Sequence, residues 1–168
     1  MLSMAPATVH EINVNPNGGV PKWAVEQARI EIDHIAGDKQ RHTQFHGGPM
    51  RAVCLYSLER IQALQAEGHP IEPGTTGENL TLAGVDWDQV TPGTRLRLGD
   101  EVELEITAYT VPCRNIAASF AEGTFKRMSQ PLHPGWARVY AKVLRVGVVR
   151  RGDPVAVTPV ATLFDPVA

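Results

Sequence analysis

Strict alternation of charged and aliphatic residues near the middle of the chain constrains the fold more than any other feature. Residues 95–98 and 101–106 alternate arginine or glutamate with leucine, valine or isoleucine, and Gly99-Asp100 lies between them. Successive side chains of a strand point to opposite faces, and a Gly-Asp pair suits a tight turn. The segment therefore predicts a β-hairpin whose charged face is solvated. Its inward side chains are predicted to be Leu96, Leu98, Val102, Leu104 and Ile106.

Thirteen prolines and fifteen glycines are spread along the 168 residues, which predicts many short elements and favours a β-rich architecture. One helix is predicted from Ser57, a candidate N-cap, through residues 58–67 to a stop at Gly68. A second stretch, residues 115–128, is also compatible with a helix that is interrupted at Gly123. Further strands are predicted at residues 7–15, 23–32, 52–56, 79–83, 136–149 and 155–158.

This order of elements fits one mainly β domain over residues 1–160, in the form of a mostly antiparallel β-barrel with a few short α-helices. Residues 161–168 are expected to form a loose C-terminal tail. A chain of 168 residues is large enough to bury a hydrophobic core in a single domain.

Composition excludes several classes of partner and location. A formal net charge of −2 gives no reason to expect nucleic acid or an anionic membrane surface as a partner. No apolar run approaches the ~20 residues of a membrane span, and no signal peptide precedes the first predicted strand. Two cysteines in a chain of this length are best interpreted as free thiols in a reducing cytoplasm.

Of these two thiols, Cys113 is the candidate for chemistry. It lies between Pro112 and Arg114, after a strand and before the helix-compatible stretch. A thiolate there can bind a soft metal or act as a nucleophile, and Arg114 would favour that charged form. The other thiol, Cys54, lies in a wholly apolar run and is predicted to be an inert core residue.

Two polar loops could complete a site around Cys113. Residues 39–51 carry two histidines and several cations but no acid, which suits an anion, and Gly47-Gly48 would let backbone N–H groups approach it. A solvated connector remains an alternative for this loop, whereas a zinc pair of His42 and His46 is disfavoured by the glycines and proline that follow. In residues 74–79 the polar side chains could orient a ligand, or Asn79 could simply cap its own loop.

Four short blocks occur in a fixed order along nearly the whole chain, together with residues 93–100, which lead into the predicted hairpin. The blocks are Gly37-Asp38-Lys39-Gln40, His46-Gly-Gly-Pro-Met-Arg-Ala-Val53, Gly77-Glu78-Asn79-Leu80 and Pro112-Cys113. In this arrangement the chain resembles the MOSC domain, the family named after the C-terminal domain of molybdenum cofactor sulfurases. The resemblance implies a β-barrel that binds the molybdenum–pterin cofactor (molybdopterin), with Cys113 as the molybdenum ligand. It further implies a cofactor-binding set of Lys39, His46, Gly47, Gly48, Arg51, Gly77, Glu78, Asn79, Cys113 and Arg114.

Relatives of this family include reductases of N-hydroxylated compounds, so the resemblance implies an oxidoreductase acting on N–O bonds, with Cys113 and His46 as catalytic residues. The chain has neither a cysteine cluster for an iron–sulfur centre nor a dinucleotide fingerprint, so electrons would come from an external reductase. Two alternatives stay open. One is a non-catalytic carrier of the cofactor or of sulfur, and the other is a metal-free thiol enzyme using Cys113, His46 and Asn79.

Overall fold

The structure, a computed structural model, describes residues 5–39 and 47–160. The expected C-terminal tail and the histidines at positions 42 and 46 lie outside the described residues. Within the described residues the chain is mainly β, as the sequence predicts, with a single α-helix, α1 (Leu58–Ala66). The strands are β1 (Thr8–Val14), β2 (Trp23–Val25), β3 (Gln27–Ile30), β4 (Val53–Ser57), β5 (Leu80–Ala83), β6 (Arg95–Leu98), β7 (Val102–Tyr109), β8 (Val139–Arg145), β9 (Gly147–Arg150) and β10 (Val155–Thr158).

The predicted hairpin is confirmed as β6 and β7. Leu96 faces Leu104 and Leu98 faces Val102 across the antiparallel ladder, and all four side chains are buried. The charged residues between them point outward, where Arg95 pairs with Glu105. The alternation thus separates an apolar inner face from a solvated outer face, which is the arrangement that period-two patterning requires.

The main sheet has eight strands in the order β10-β6-β7-β8-β4-β5-β1-β2, and β3 pairs with β9 in a separate two-stranded sheet. All of the ladders are antiparallel except that of β4 with β5. Parallel neighbours need a crossover, and α1 provides it. Ser57 caps this helix by accepting a hydrogen bond from the Arg60 N–H at 3.1 Å, as predicted from the sequence.

The prediction of a closed barrel is wrong, because the sheet is open, with β10 and β2 at its edges. The edge of β1 that faces away from β5 contacts two different segments. Its C-terminal half pairs with β2, whereas Thr8 forms only an isolated bridge with Pro154 and the Val9 N–H donates to the Asp153 carbonyl at 2.9 Å. The chain before β10 therefore touches β1 without forming the continuous ladder that closure requires.

The predicted helix over residues 115–128 is replaced by three 3₁₀ segments, Arg114–Ser119, Ala121–Gly123 and Phe125–Met128. Phe120 is extended and Glu122 has a positive φ of 55°, so a continuous α-helix cannot form here. The apolar positions that suggested a helix still pack inward, with Phe120 and Met128 buried in the core. Cys113 is the residue immediately before the first 3₁₀ turn.

Among the residues that the structure describes, none of the helices has the length and apolar character needed to cross a bilayer.

Candidate functional site

A cavity of about 280 Å³ opens at the end of the sheet where β1 and β7 finish and where β4, β5 and β8 begin. Loops from distant parts of the sequence form its wall because these strand ends lie side by side. The lining residues are Gly19, Val20, Lys22, Asp38, Lys39, Cys54, Thr76, Gly77, Asn79, Val111, Cys113, Asn115, Ile116, Arg138 and Tyr140.

The thiol of Cys113 belongs to this wall. Cys113 is exposed to solvent, and its thiol is free. Its position follows from the sheet, because β7 and β8 are antiparallel neighbours and the Thr110 N–H donates to the Arg138 carbonyl at 2.9 Å. The chain then leaves the ladder at Val111 and turns at Cys113 into the 3₁₀ segment. A ligand in the cavity can therefore reach this sulfur.

A buried ion pair supports another part of the cavity wall. Lys22 Nζ lies 2.5 Å from Asp38 Oδ1, and the two side chains are only 9% and 3% exposed. The other carboxylate oxygen of Asp38 accepts a hydrogen bond from Asn79 Nδ2 at 2.9 Å, and Oδ1 also accepts from the Asn15 N–H at 2.8 Å. Three hydrogen-bond donors thus satisfy one buried carboxylate, as burial of a charge demands.

Asn79 connects this ion pair to the sheet. Its side-chain Oδ1 accepts from the Cys54 N–H at 3.0 Å, and its own N–H donates to the Cys54 carbonyl at 2.8 Å. Its Nδ2 also donates to the Asn13 carbonyl at 3.3 Å. The amide is therefore held by β1, by β4 and by Asp38, so its place in the cavity wall is fixed by contacts and not by the loop alone.

Glu78 lies behind the cavity wall and is fully buried. Its Oε1 accepts from the Gly74 N–H at 2.6 Å, and its Oε2 accepts from Thr76 Oγ1 at 3.3 Å. Burial raises the pKa of this carboxyl to about 7, although the positive charge of Arg138 opposes the shift. Gly74 has a φ of +84°, and a β-carbon there would overlap the backbone oxygen of Lys22, so this turn requires glycine.

Arg138 is the most buried cation of the cavity lining, with an exposed fraction of 6%. Its Nη1 donates to the Thr76 carbonyl, while its Nε is buried and has no hydrogen-bond partner among residues 5–39 and 47–160. Its charge lowers the pKa values of Glu78, Cys54 and Tyr140, in each case against a larger effect of burial. The guanidinium therefore makes the inner part of the cavity electropositive.

Cys54 was predicted to be an inert core thiol. It is indeed buried, 7% exposed, and burial raises its pKa. However, Cys54 also lines the cavity, where its Sγ lies 3.8 Å from Thr110 Oγ1. The apolar run around it gave the burial correctly but could not show that the start of β4 faces a cavity.

Of the residues proposed from the sequence, the structure places Lys39, Gly77, Asn79 and Cys113 in the wall of one cavity. Glu78 lies directly behind it. Four others are not among the lining residues: Gly47, Gly48, Arg51 and Arg114. The guanidinium of Arg51 contacts the cavity only indirectly, 5.5 Å from the ring centroid of Tyr140, and Arg114 is exposed. His46 lies outside the described residues.

The sequence analysis missed Lys22, Arg138, Tyr140 and Asn115, and it gave no role to Asp38. The local sequence of Arg138 gave no signal, because an arginine at the start of a strand is ordinarily exposed and only the fold shows that this one is buried. Lys22 follows a proline in a short loop, and nothing in its local sequence predicts burial. In the part of the chain that the structure covers, no cluster of three or more His, Cys, Asp or Glu side chains could hold a metal ion.

Comparison with known proteins agrees with this architecture. A sequence model of the MOSC domain matches residues 42–156. The chain is 31% identical over 121 residues to the uncharacterized protein YflK of Bacillus subtilis (strain 168), covering 71% of this chain and 53% of that protein. It is also 31% identical over 128 residues to a protein of Gibberella moniliformis named "Reductase", covering 73% of this chain and 22% of that protein. The chain thus spans about half and about a fifth of the lengths of these two relatives.

Solved structures show the same fold at low sequence identity. YiiM from Geobacillus stearothermophilus superposes with a TM-score of 0.69 and 22% identity, over 94% of this chain and 82% of that chain. The YUAD protein of Bacillus subtilis superposes with a TM-score of 0.70 and 18% identity, over 95% of this chain and 99% of that chain.

The fold and the site define a class of β-rich protein in which loops at one end of an open sheet enclose a cavity with an accessible thiol. Within that class, the chain belongs to the MOSC domain family, as the matched residues 42–156 show.

Proposed function

We propose that the chain binds the molybdenum–pterin cofactor in this cavity through the Cys113 thiolate, and that it reduces N-hydroxylated or other N–O compounds with electrons from a separate reductase. Membership of the MOSC family and the likeness to a protein named "Reductase" support the general assignment. The observation that carries the proposal is the location of Cys113, an exposed free thiol in the wall of a cavity that also contains Lys39, Asn79 and Arg138.

The residues present fit such a cofactor. A thiolate is a soft ligand suited to molybdenum, and a single protein sulfur is sufficient where a pterin dithiolene provides the others. Lys39 and Arg138 supply positive charge for an anionic group, and no group in the described part of the chain accepts a hydrogen bond from Arg138 Nε. The cavity of about 280 Å³ lies near the lower limit of small-molecule sites.

Each residue of the cavity has a separate task in this proposal. Cys113 holds the metal, while Lys39 and Asn79 orient the pterin and its phosphate. Val20 and Ile116 give the wall apolar surface against which the flat pterin can pack. When bound, the cofactor supplies two-electron exchange of an oxygen atom. His46, which the structure does not describe, is proposed as the proton donor to the oxygen leaving the substrate.

Metal and pterin content test the proposal directly. We expect protein purified from a host that makes the cofactor to contain near-stoichiometric molybdenum and pterin, measured by mass spectrometry of the metal and by fluorescence of the oxidised pterin. Cys113→Ser should lower the molybdenum content by at least about tenfold. Cys54→Ser is the matched comparison, since it removes the other thiol of the same cavity. If only Cys54→Ser lost molybdenum, the metal ligand would be Cys54 and the assignment to Cys113 would be wrong.

Activity separates a reductase from a carrier. We expect molybdenum-loaded protein to reduce an amidoxime or an N-hydroxylated base with a reduced artificial dye as electron donor, and the Cys113→Ser variant to be inactive. Protein that binds molybdenum but reduces none of these compounds would be a carrier of the cofactor or of sulfur. Protein without molybdenum would contradict the proposal as a whole.

A further inference from the structure

Arg138 is a buried cation without a direct ion pair among the described residues, and the buried carboxyl of Glu78 is linked to it only through Thr76. A guanidinium stays protonated at any pH that a protein tolerates. Among the described residues, no carboxylate lies within ion-pair distance of Arg138, and its one hydrogen bond goes to the neutral carbonyl of Thr76. Its Nε is buried without an acceptor. Buried charges are normally paired, so an arrangement of this kind indicates a missing anion.

The other charged groups of the cavity do not supply that anion. Asp38 is the one carboxylate among the described lining residues, and it already binds Lys22 at 2.5 Å and Asn79 at 2.9 Å. Lys39 adds a further positive charge to the same wall. Once the Lys22–Asp38 pair cancels, the lining has an excess of cations around an enclosed space.

We propose that the cavity has an oxyanion subsite at Arg138, which binds a carboxylate, sulfate or phosphate group of a ligand independently of any metal at Cys113. The planar guanidinium matches the two oxygens of such a group, so a bidentate contact is available to it. Arg138 lies immediately before β8 and Cys113 lies after β7, so both are at the same end of these paired strands. A ligand anchored by its anionic group at Arg138 would therefore extend toward the thiol.

Glu78 competes with the anion for Arg138. It is a buried carboxyl whose Oε2 accepts from Thr76 Oγ1, and the Thr76 carbonyl accepts from Arg138. The other titratable groups near it are Cys54 and Tyr56 on β4, whose pKa values are raised by burial, so that both are neutral near pH 7. Asn79, the residue after Glu78, donates a hydrogen bond to Asp38, and Asp38 is neutralised by its ion pair with Lys22. A proton on Glu78 leaves the charge of Arg138 available to the anion, so anion binding should strengthen as the pH falls.

Sulfate titration of metal-free protein tests the subsite, because sulfate does not change its charge near neutral pH. We expect a saturable shift of the Arg138 Nε–Hε signal in ¹H–¹⁵N spectra at constant ionic strength set with chloride. Arg138→Gln should abolish sulfate binding and Arg138→Lys should weaken it about tenfold, since lysine keeps the charge but loses the fork. Arg145→Gln, at the exposed far end of β8, is the control and should bind sulfate as the wild type does.

Several results would overturn the subsite. The Arg138 Nε–Hε signal could stay unmoved up to about 100 mM sulfate, a concentration at which even a millimolar site saturates. Arg138→Gln could bind sulfate with wild-type affinity. If the glutamine variant fails to fold, as circular dichroism would reveal, the wild-type signal and Arg138→Lys still decide. At pH 8, Glu78→Gln should bind sulfate more tightly than the wild type, and equal affinity would exclude competition by Glu78.

A second arm identifies the source of the anion. Where protein loaded with the molybdenum–pterin cofactor still binds sulfate, the subsite serves an anionic group of the substrate. Where loading blocks sulfate, the subsite holds the phosphate of the cofactor. The first arm needs neither molybdenum nor pterin, so failure of the proposed cofactor function and failure of the anion subsite are distinguishable.

Discussion

The β6–β7 hairpin and the cavity wall solve the problem of charge in opposite ways. In the hairpin, the charged side chains lie on the outer face and the inward positions are aliphatic, so none of its charged groups is buried in the core. In the cavity wall, Lys22, Asp38 and Arg138 are buried together with the amide of Asn79. Apolar burial in the hairpin stabilises the fold, whereas desolvation of the charged groups in the cavity wall lowers the free energy of unfolding. Substitutions in the two regions should therefore fail in different ways.

The largest effect is expected at the buried ion pair. Asp38→Ala leaves Lys22 buried without its counter-charge and removes the acceptor of Asn79, so the free energy of unfolding should fall by roughly 3–5 kcal/mol. Urea unfolding followed by tryptophan fluorescence measures this loss. Asp100→Ala, at the exposed turn of the hairpin, is the matched control and should change little. Equal losses for the two variants would show that the Lys22–Asp38 pair is not structural.

A somewhat smaller effect is expected in the core of the hairpin. Leu104→Ala removes a fully buried side chain opposite Leu96 and should cost roughly 2–5 kcal/mol in urea unfolding. Arg95→Ala, on the outer face of the same ladder, breaks only an exposed ion pair and should cost about 0.5 kcal/mol or less. Sulfate binding by folded Leu104→Ala should be unchanged, since the cavity lies elsewhere. Weakened sulfate binding in that variant would mean that the two regions are coupled.

The smallest effect is a pH dependence from Glu78. Burial raises the pKa of this carboxyl from 4.5 to about 7, so the folded state binds the proton more tightly than the unfolded state. Its favourable contribution is complete below about pH 4.5 and is lost as the pH rises through about 7. Glu78→Gln should therefore gain stability relative to the wild type between pH 5 and pH 8. Urea midpoints compared across that range measure it, and a difference independent of pH would rule out titration of Glu78.

The sequence predicted the elements whose patterns are local. The alternation at residues 95–106 fixed both the hairpin and its inward face, and Ser57 identified the start of α1. It failed at residues 115–128, which are compatible with an interrupted helix in sequence, whereas the backbone is extended at Phe120 and has a positive φ at Glu122. It also failed on closure of the barrel, because closure depends on whether β1 pairs with the distant segment around Pro154 or with β2, which is close in sequence.

The candidate site was predictable only where a motif drew attention to it. Asn79 and Cys113 were found in this way, and both line the cavity. Lys22 and Arg138 were not found, because their importance arises from burial beside partners distant in the sequence. The one-letter sequence is the same for a lysine or arginine in solvent and for one in a cavity wall. Only desolvation distinguishes the two, and desolvation depends on the fold.

The double hydrogen bond between Asn79 and Cys54 ties the cavity to the cooperative unit of the protein. Both main-chain groups of Cys54 in β4 are engaged by Asn79, one through the backbone and one through the side chain. The loop cannot open locally without uncovering a central strand, so its exchange-competent state should coincide with global unfolding. The site is consequently preorganised, and a ligand entering it need not meet the entropic cost of ordering this wall.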